Sequence, residues 1–292
     1  MKIFISNLIN KYKFFEYLYV IYLSIFNSKK ISYMLKPTFK GWGMITSNYL
    51  PWTEDYSDAE SNFEIIDKKL LKLVESKKFH LSQFINMYPD KKASDFLYEL
   101  KWRHYIVYST VQISINNNNS KKINLTECGV CDGLTIFYAI NACIDKSLKY
   151  NVNLFDAWEG MKGNKLSINE NKFIDEYSFL DVELTKENLS SLNDGNINFN
   201  KGFIPEIFKN TLKNDEIDWL HIDLNSHQAT LDSLNQLWPL LKKGGIILFD
   251  DYALIGYEDT KKSIDNWIKN KNLSFTQFPT GQAMIVKSFR DA

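Results

Sequence analysis

Three aspartates in this chain stand where a divalent cation would find ligands. Asp223 closes the β-rich run 219–223, and the pair Asp250 and Asp251 follows the run 246–249. Ends of paired neighbouring strands lie about 5 Å apart, so three carboxylates are expected to crowd one rim. Unpaired like charges at that distance raise one another's pKa, and all-oxygen ligation suits Mg²⁺ with several retained waters. The competing reading gives one Asp to a helix cap and another to a ligand or the backbone, with no metal. A second group of residues is the loop Glu127-Cys128-Gly129-Val130-Cys131-Asp132-Gly133. Its two glycines, four apart, permit a tight turn and close approach of backbone to a ligand. The dinucleotide pattern GxGxxG is missing, because Cys131 holds the place of its second glycine. Glu127 and Asp132 would repel a pyrophosphate but suit a ligand carrying an ammonium and a sulfonium. Asp156, 29 positions after Glu127, is placed to accept both hydroxyls of a ribose; as a turn cap it would serve the backbone instead.

These residues need strand ends to carry them. After residue 120, short β-rich runs alternate with helical ones: 123–128 then 133–146, 150–155 then an irregular stretch and 186–192, 197–200 then 205–212, 219–223 then 230–241, and 246–249 then 258–269. Five such units in series imply a parallel sheet with helices on both faces. The runs 273–278 and 282–287 are both strand-like, and only Pro279, Thr280 and Gly281 join them. Three residues make an antiparallel link, not a parallel crossover, so the last strand is expected to run against the others. In open α/β sheets ligands sit beyond the carboxyl ends of the strands, where all the residues above fall. Upstream, 63–74 and 93–113 have helical spacing, with Pro37 and Pro51 as breaks. The polar stretch 116–122 divides an N-terminal helical region, 1–120, from an α/β domain, 121–292.

Composition narrows the class. The 292 residues carry 35 Lys+Arg against 35 Asp+Glu and are 45% hydrophobic, which excludes disordered, collagenous and coiled-coil chains. Zero net charge removes the electrostatic footprint of a dedicated nucleic-acid binder. Three cysteines make no disulfide framework, and Cys128 with Cys131 lacks the second pair of a structural zinc site; both read as small buried residues in a cytoplasmic protein. The neutral total hides a basic segment, 1–40, with seven lysines against Glu16 alone. Its apolar run 14–26 is shorter than the roughly 18–20 residues of a membrane span. Packing on protein, the domain or a second copy in a homo-oligomer, is the expectation for it, and peripheral membrane contact is the competing one. Arginine occurs at only two positions, Arg103 and Arg290, so Arg103 is a candidate for the planar bidentate binding that Lys cannot copy. Trp158 and Glu159 are candidate substrate-loop residues.

Several segments, in order, resemble the macrocin O-methyltransferase family of class I S-adenosylmethionine methyltransferases. ECGVCDG at 127–133 resembles the first-strand motif, FDAWEG at 155–160 the second-strand DSFEG, and KGFIP at 201–205 the KGxxP element. His221-Ile222-Asp223, Leu237-Trp238-Pro239, Gly244-Gly245 and Asp250-Asp251-Tyr252 are similar to its HxD, LxP, GG and DDY elements. The likeness covers roughly 121–290 and takes in nothing before about residue 90.

The resemblance implies a Rossmann-like, seven-stranded, mostly parallel sheet with a reversed last strand. It implies S-adenosylmethionine at Glu127, Gly129, Asp132, Gly133 and Asp156, and Mg²⁺ at Asp223, Asp250 and Asp251. Its reaction is methyl transfer to a hydroxyl of a sugar or glycosylated small molecule. Where many members carry Asp two residues after the first metal ligand, this chain has Asn225, which takes no proton; His227, two further on, could take one, since histidine as a residue type has a suitable unperturbed pKa, but it also reads as an exposed loop residue. The catalytic candidates are therefore Asp223, Asn225 and His227. A cofactor-binding or regulatory module without turnover is the alternative that Asn225 favours. A nicotinamide-dependent oxidoreductase is disfavoured by the missing GxGxxG.

Overall fold

The computed structural model describes residues 61–88, 91–118, 121–193, 196–211 and 216–288. The basic segment 1–40, Pro37, Pro51 and Arg290 lie outside the described residues. Helices α1 (Ser61–Glu75), α2 (Ser82–Met87) and α3 (Ala93–Asn118) come first. Then follow β1 (Lys122–Cys128), α4 (Leu134–Asp145), β2 (Lys149–Asp156), α5 (Val182–Leu189), β3 (Ile197–Lys201) and α6 (Phe208–Thr211). The chain continues through β4 (Ile217–Ile222), α7 (His227–Leu237), β5 (Leu241–Phe249), α8 (Glu258–Asn270), β6 (Thr276–Gln277) and β7 (Ala283–Val286). No described helix is long and apolar enough to cross a membrane.

The seven strands form one sheet in the order β3-β2-β1-β4-β5-β7-β6. β1 pairs in parallel with both β2 and β4, and β4 with β5, so the strand order reverses at β1. β7 runs antiparallel to β5, the reversal that the three-residue link 279–281 requires. Central β4 is buried at every position, the pattern of a strand covered on both faces. Its alternation sends Trp219 and His221 to one face and Leu220 and Ile222 to the other. The first face packs on α1, α3 and α4 through Phe63, Leu70, Val107, Val111 and Ile136; the second packs on α7 and α8 through Leu234, Leu237, Ile264 and Ile268. The helices before residue 120 thus share a core with the sheet.

Helix α3 positions the site. Its buried residues Leu97, Lys101, His104, Tyr108, Val111 and Ile115 recur every three or four positions, one face of a helix. The far end is tied to β4, where Ser114 Oγ donates to the Asp218 carbonyl at 2.6 Å and Trp219 Nε1 donates to Thr110 Oγ1 at 3.1 Å. At about 1.5 Å per residue and 3.6 residues per turn, Arg103 then lies about three turns back from Ser114, beside the carboxyl end of the sheet.

Candidate functional site

The loop after β1 crosses the end of β4. Gly129 has φ +85°, and a Cβ there would lie 1.8 Å from the Asp223 carbonyl oxygen, so a glycine is required for the passage. Cys131 also adopts a left-handed φ, +51°. Asp156 ends β2 with its carboxylate turned onto this loop: Oδ2 accepts from the amides of Val130 at 2.6 Å and Cys131 at 2.9 Å, and Oδ1 accepts from Trp158 at 2.7 Å. Burial raises its pKa against the pull of those amide donors. Asp156 therefore caps the loop in the way its residue type also allows, and ribose hydroxyls reaching it would share its oxygens with the backbone.

A cavity of about 910 Å³, mouth included, opens over this loop and joins Gly129, Cys131 and Asp156 to Asp223 and Asn225. Phe155, Phe203, Ile204 and Leu224 supply apolar wall, and Glu159, Lys162, Lys165 and Tyr177 stand along it. Glu127, Asp132 and Gly133 do not line it. Glu127 faces His221, Asp132 accepts from the Gln83 amide at 2.9 Å at the start of α2, and Gly133 is closed in by Leu189 and Thr185.

Beside this loop the three aspartates converge, with one carboxylate oxygen from each of Asp223, Asp250 and Asp251 within 4.8 Å of the others. Arg103 enters the same cluster. Its Nη2 donates to Asp250 Oδ2 in a short contact and to Asp251 Oδ1 at 3.1 Å. Gln282 Nε2 donates to Asp250 Oδ1 at 2.7 Å. The reversed strand explains this neighbour, because the pairing of Phe249 with Ala283 sets Gln282 opposite Asp250. No described side chain donates to Asp223, which faces the cavity. Burial first, and then the Asp251 carboxylate, hold Asp223 up at about 7.

His221 joins Glu127 of β1 to the carboxylate cluster. Its Nδ1 lies 2.8 Å from Glu127 Oε1, and its Nε2 points to Asp250 Oδ1 at 3.5 Å. Burial pushes its pKa down to about 4 and that of Glu127 well above the usual carboxylate range. Burial thus disfavours charge on both partners of this hydrogen bond.

His227 stands apart from the cavity lining. Its Nδ1 is 3.1 Å from Glu170 Oε2 and its amide donates to Glu170 Oε1 at 2.7 Å, which ties the start of α7 to the irregular segment 157–181. Asn225 lines the cavity, and its Oδ1 accepts from Tyr257 Oη at 2.8 Å. Trp158 is no substrate-loop residue: it is 2% exposed and its indole N–H serves Cys131 O and Thr185 Oγ1. The following Glu159 does reach the cavity. Gln282, Tyr177 and Tyr257 escaped the sequence reading; for Gln282 the strand register was the available signal, and for the tyrosines there was none.

Residues 126–252 match a family described as a methyltransferase domain. No curated protein matches the chain. Among solved structures, that of the O-methyltransferase NovP is similar at 20% identity and a TM-score of 0.55, over 64% of this chain and 79% of that one. The calicheamicin methyltransferase CalS11 is similar at 14% identity and a TM-score of 0.52, over 78% and 93%. At such identities the solved structures speak for the fold.

Proposed function

We propose that this chain, an S-adenosylmethionine-dependent methyltransferase of class I, methylates a hydroxyl oxygen of a sugar or glycosylated small molecule. The observation that carries the reading is one cavity lined by the Gly129 loop, by Asp156 and by Asp223, to whose carboxylate no described side chain donates. When bound, S-adenosylmethionine supplies a methyl group on a sulfonium, whose C–S bond breaks as the new C–O bond forms. The chain must then align the acceptor and take one proton. Asp223 is the group for that proton, since a carboxylate held near 7 is matched to base work at neutral pH. Asn225, fixed by Tyr257, offers hydrogen bonds to the acceptor without taking the proton. The sugar reading draws on the ordered motifs from 127 to 252 and on the O-methyltransferase activity in NovP's name.

The Mg²⁺ expectation meets a mixed result. The three ligand oxygens converge as a cation site needs, yet Asp250 has both oxygens bonded and Asp251 has one on Arg103. The donor set as folded does not fit a divalent ion, and no step is routed through one. The reading without turnover, favoured by Asn225, loses its ground if Asp223 is the base.

Calorimetry with S-adenosylhomocysteine and turnover on a panel of nucleotide sugars and glycosides test the proposal. Asp156→Ala should weaken cofactor binding by about 1.5–3 kcal/mol, the range for hydrogen bonds to a charged group. Equal affinity in both proteins would reject the site, NADH binding would revive the oxidoreductase, and cofactor binding without transfer to any hydroxyl would favour the inactive module.

A further inference from the structure

We infer that Arg103 is the resident cation of the carboxylate cluster, and that it keeps Asp250 and Asp251 from acting as divalent-metal ligands. One guanidinium nitrogen, Nη2, bridges the two carboxylates, lying also 3.4 Å from the Asp250 carbonyl. The three side chains are only 12–14% exposed, so the pairing is sheltered from solvent screening. Gln282 Nε2 fills the other Asp250 oxygen and His221 Nε2 faces it at 3.5 Å. A metal ion drawing on Asp250 would have to evict the guanidinium and then sit beside it. Arg103 has little freedom to leave, because α3 is packed along the sheet by its neighbours His104 and Val107. Arg103 is thus a positioning residue: its single positive charge offsets one unit of the cluster's negative charge, its Nη2 bonds two of the three carboxylates, and Asp223 is left as the one to which no described side chain donates. Its bearing on catalysis rests on the methyl-transfer reading above, whereas its effect on metal binding does not.

The test titrates the full chain with Mn²⁺, followed by electron paramagnetic resonance, and measures S-adenosylhomocysteine affinity on the same samples. The wild type should show no saturable Mn²⁺ site at micromolar metal. Arg103→Gln should bind Mn²⁺ about tenfold or more tightly than wild type, equivalent to 1.4 kcal/mol or more, with cofactor affinity retained. Arg103→Lys should fall between the two. A folded Arg103→Gln protein with unchanged Mn²⁺ affinity would overturn the inference. So would saturable micromolar binding by the wild type that Asp250→Asn abolishes, a measurement that stands even if the arginine variants fail to fold. Loss of the cofactor reading would appear separately, as absent S-adenosylhomocysteine binding.

Discussion

His221 and Glu127 form a hydrogen-bonded pair at the sheet's switch point, 2.8 Å apart and almost wholly shut from solvent. The register pairs the two residues directly across β1 and β4. The first-strand acid therefore serves the interior of the sheet, and through His221 it abuts the Asp250 carboxylate.

Burial raises the Glu127 pKa and so favours its protonated form, which predicts that Glu127→Gln, which still offers a donor, stays within about 1 kcal/mol of wild type in thermal or urea unfolding. Glu127→Ala should cost about 2–4 kcal/mol, since it leaves a buried acceptor unpaired and a void behind. Equal losses would mean that the carboxylate is ionised.

Asp223→Asn should reduce kcat at least about 100-fold while leaving S-adenosylhomocysteine affinity intact. Wild-type rates should rise with pH through about 7, as the base ionises. Stability moves the other way. The folded pKa lies above the unfolded value of 3.8, so the folded state holds a proton that the unfolded state has lost, and stability falls as pH rises from 3.8 to 7. Asp223→Asn should thus be the more stable protein by about 1–3 kcal/mol above pH 7, measured by denaturant titration.

His227→Ala is expected to raise KM several-fold by freeing Glu170 and the segment it ties, with kcat within about threefold of wild type. A dead His227→Ala enzyme of normal KM would transfer the base role from Asp223 to His227.

His104 is 4% exposed, stacked 4.4 Å from the Tyr138 ring, and its Nδ1 has no hydrogen-bond partner. Burial, reinforced by Arg103 and His221, lowers its pKa to about 3. Between pH 6.5 and 3 the unfolded state binds a proton that the folded state refuses, so stability is lost as pH falls through that window. The neutral variant His104→Gln is free of this term. The stability of wild type relative to His104→Gln should therefore decline by about 1.4 kcal/mol per pH unit on going from pH 6 to 4; a flat difference would show that the ring charges in place.

Gly129→Ala should abolish cofactor binding and cost on the order of 2–4 kcal/mol, because its Cβ meets backbone at 1.8 Å under a left-handed φ. Gly163→Ala, which meets only the end of the Ile174 side chain at 3.2 Å, should be near neutral in the same melts.

Local pattern was enough for the sheet and for a few residues of the cavity wall, Gly129, Asp156, Asp223 and Asn225. Alternation and turn length are properties of adjacent residues, so the five strand–helix units, the reversed β7 and the loop from Glu127 to Gly133 were legible in the letters. So was the convergence of Asp223, Asp250 and Asp251, since strand ends in one sheet must be neighbours. Short helix α2 was not, because six residues carry too little periodicity. Nor did the letters say that Asp156 would spend its oxygens on backbone amides, that Trp158 would turn into the core, or that His227 would pair with Glu170. Those outcomes depend on which face each side chain takes once distant segments pack. The same holds for the partner of the carboxylates: Arg103 was conspicuous for its rarity, but it lies 147 positions from Asp250. The angle at which α3 crosses the sheet, set by side-chain packing over the whole face, decided that its guanidinium would lie among the aspartates.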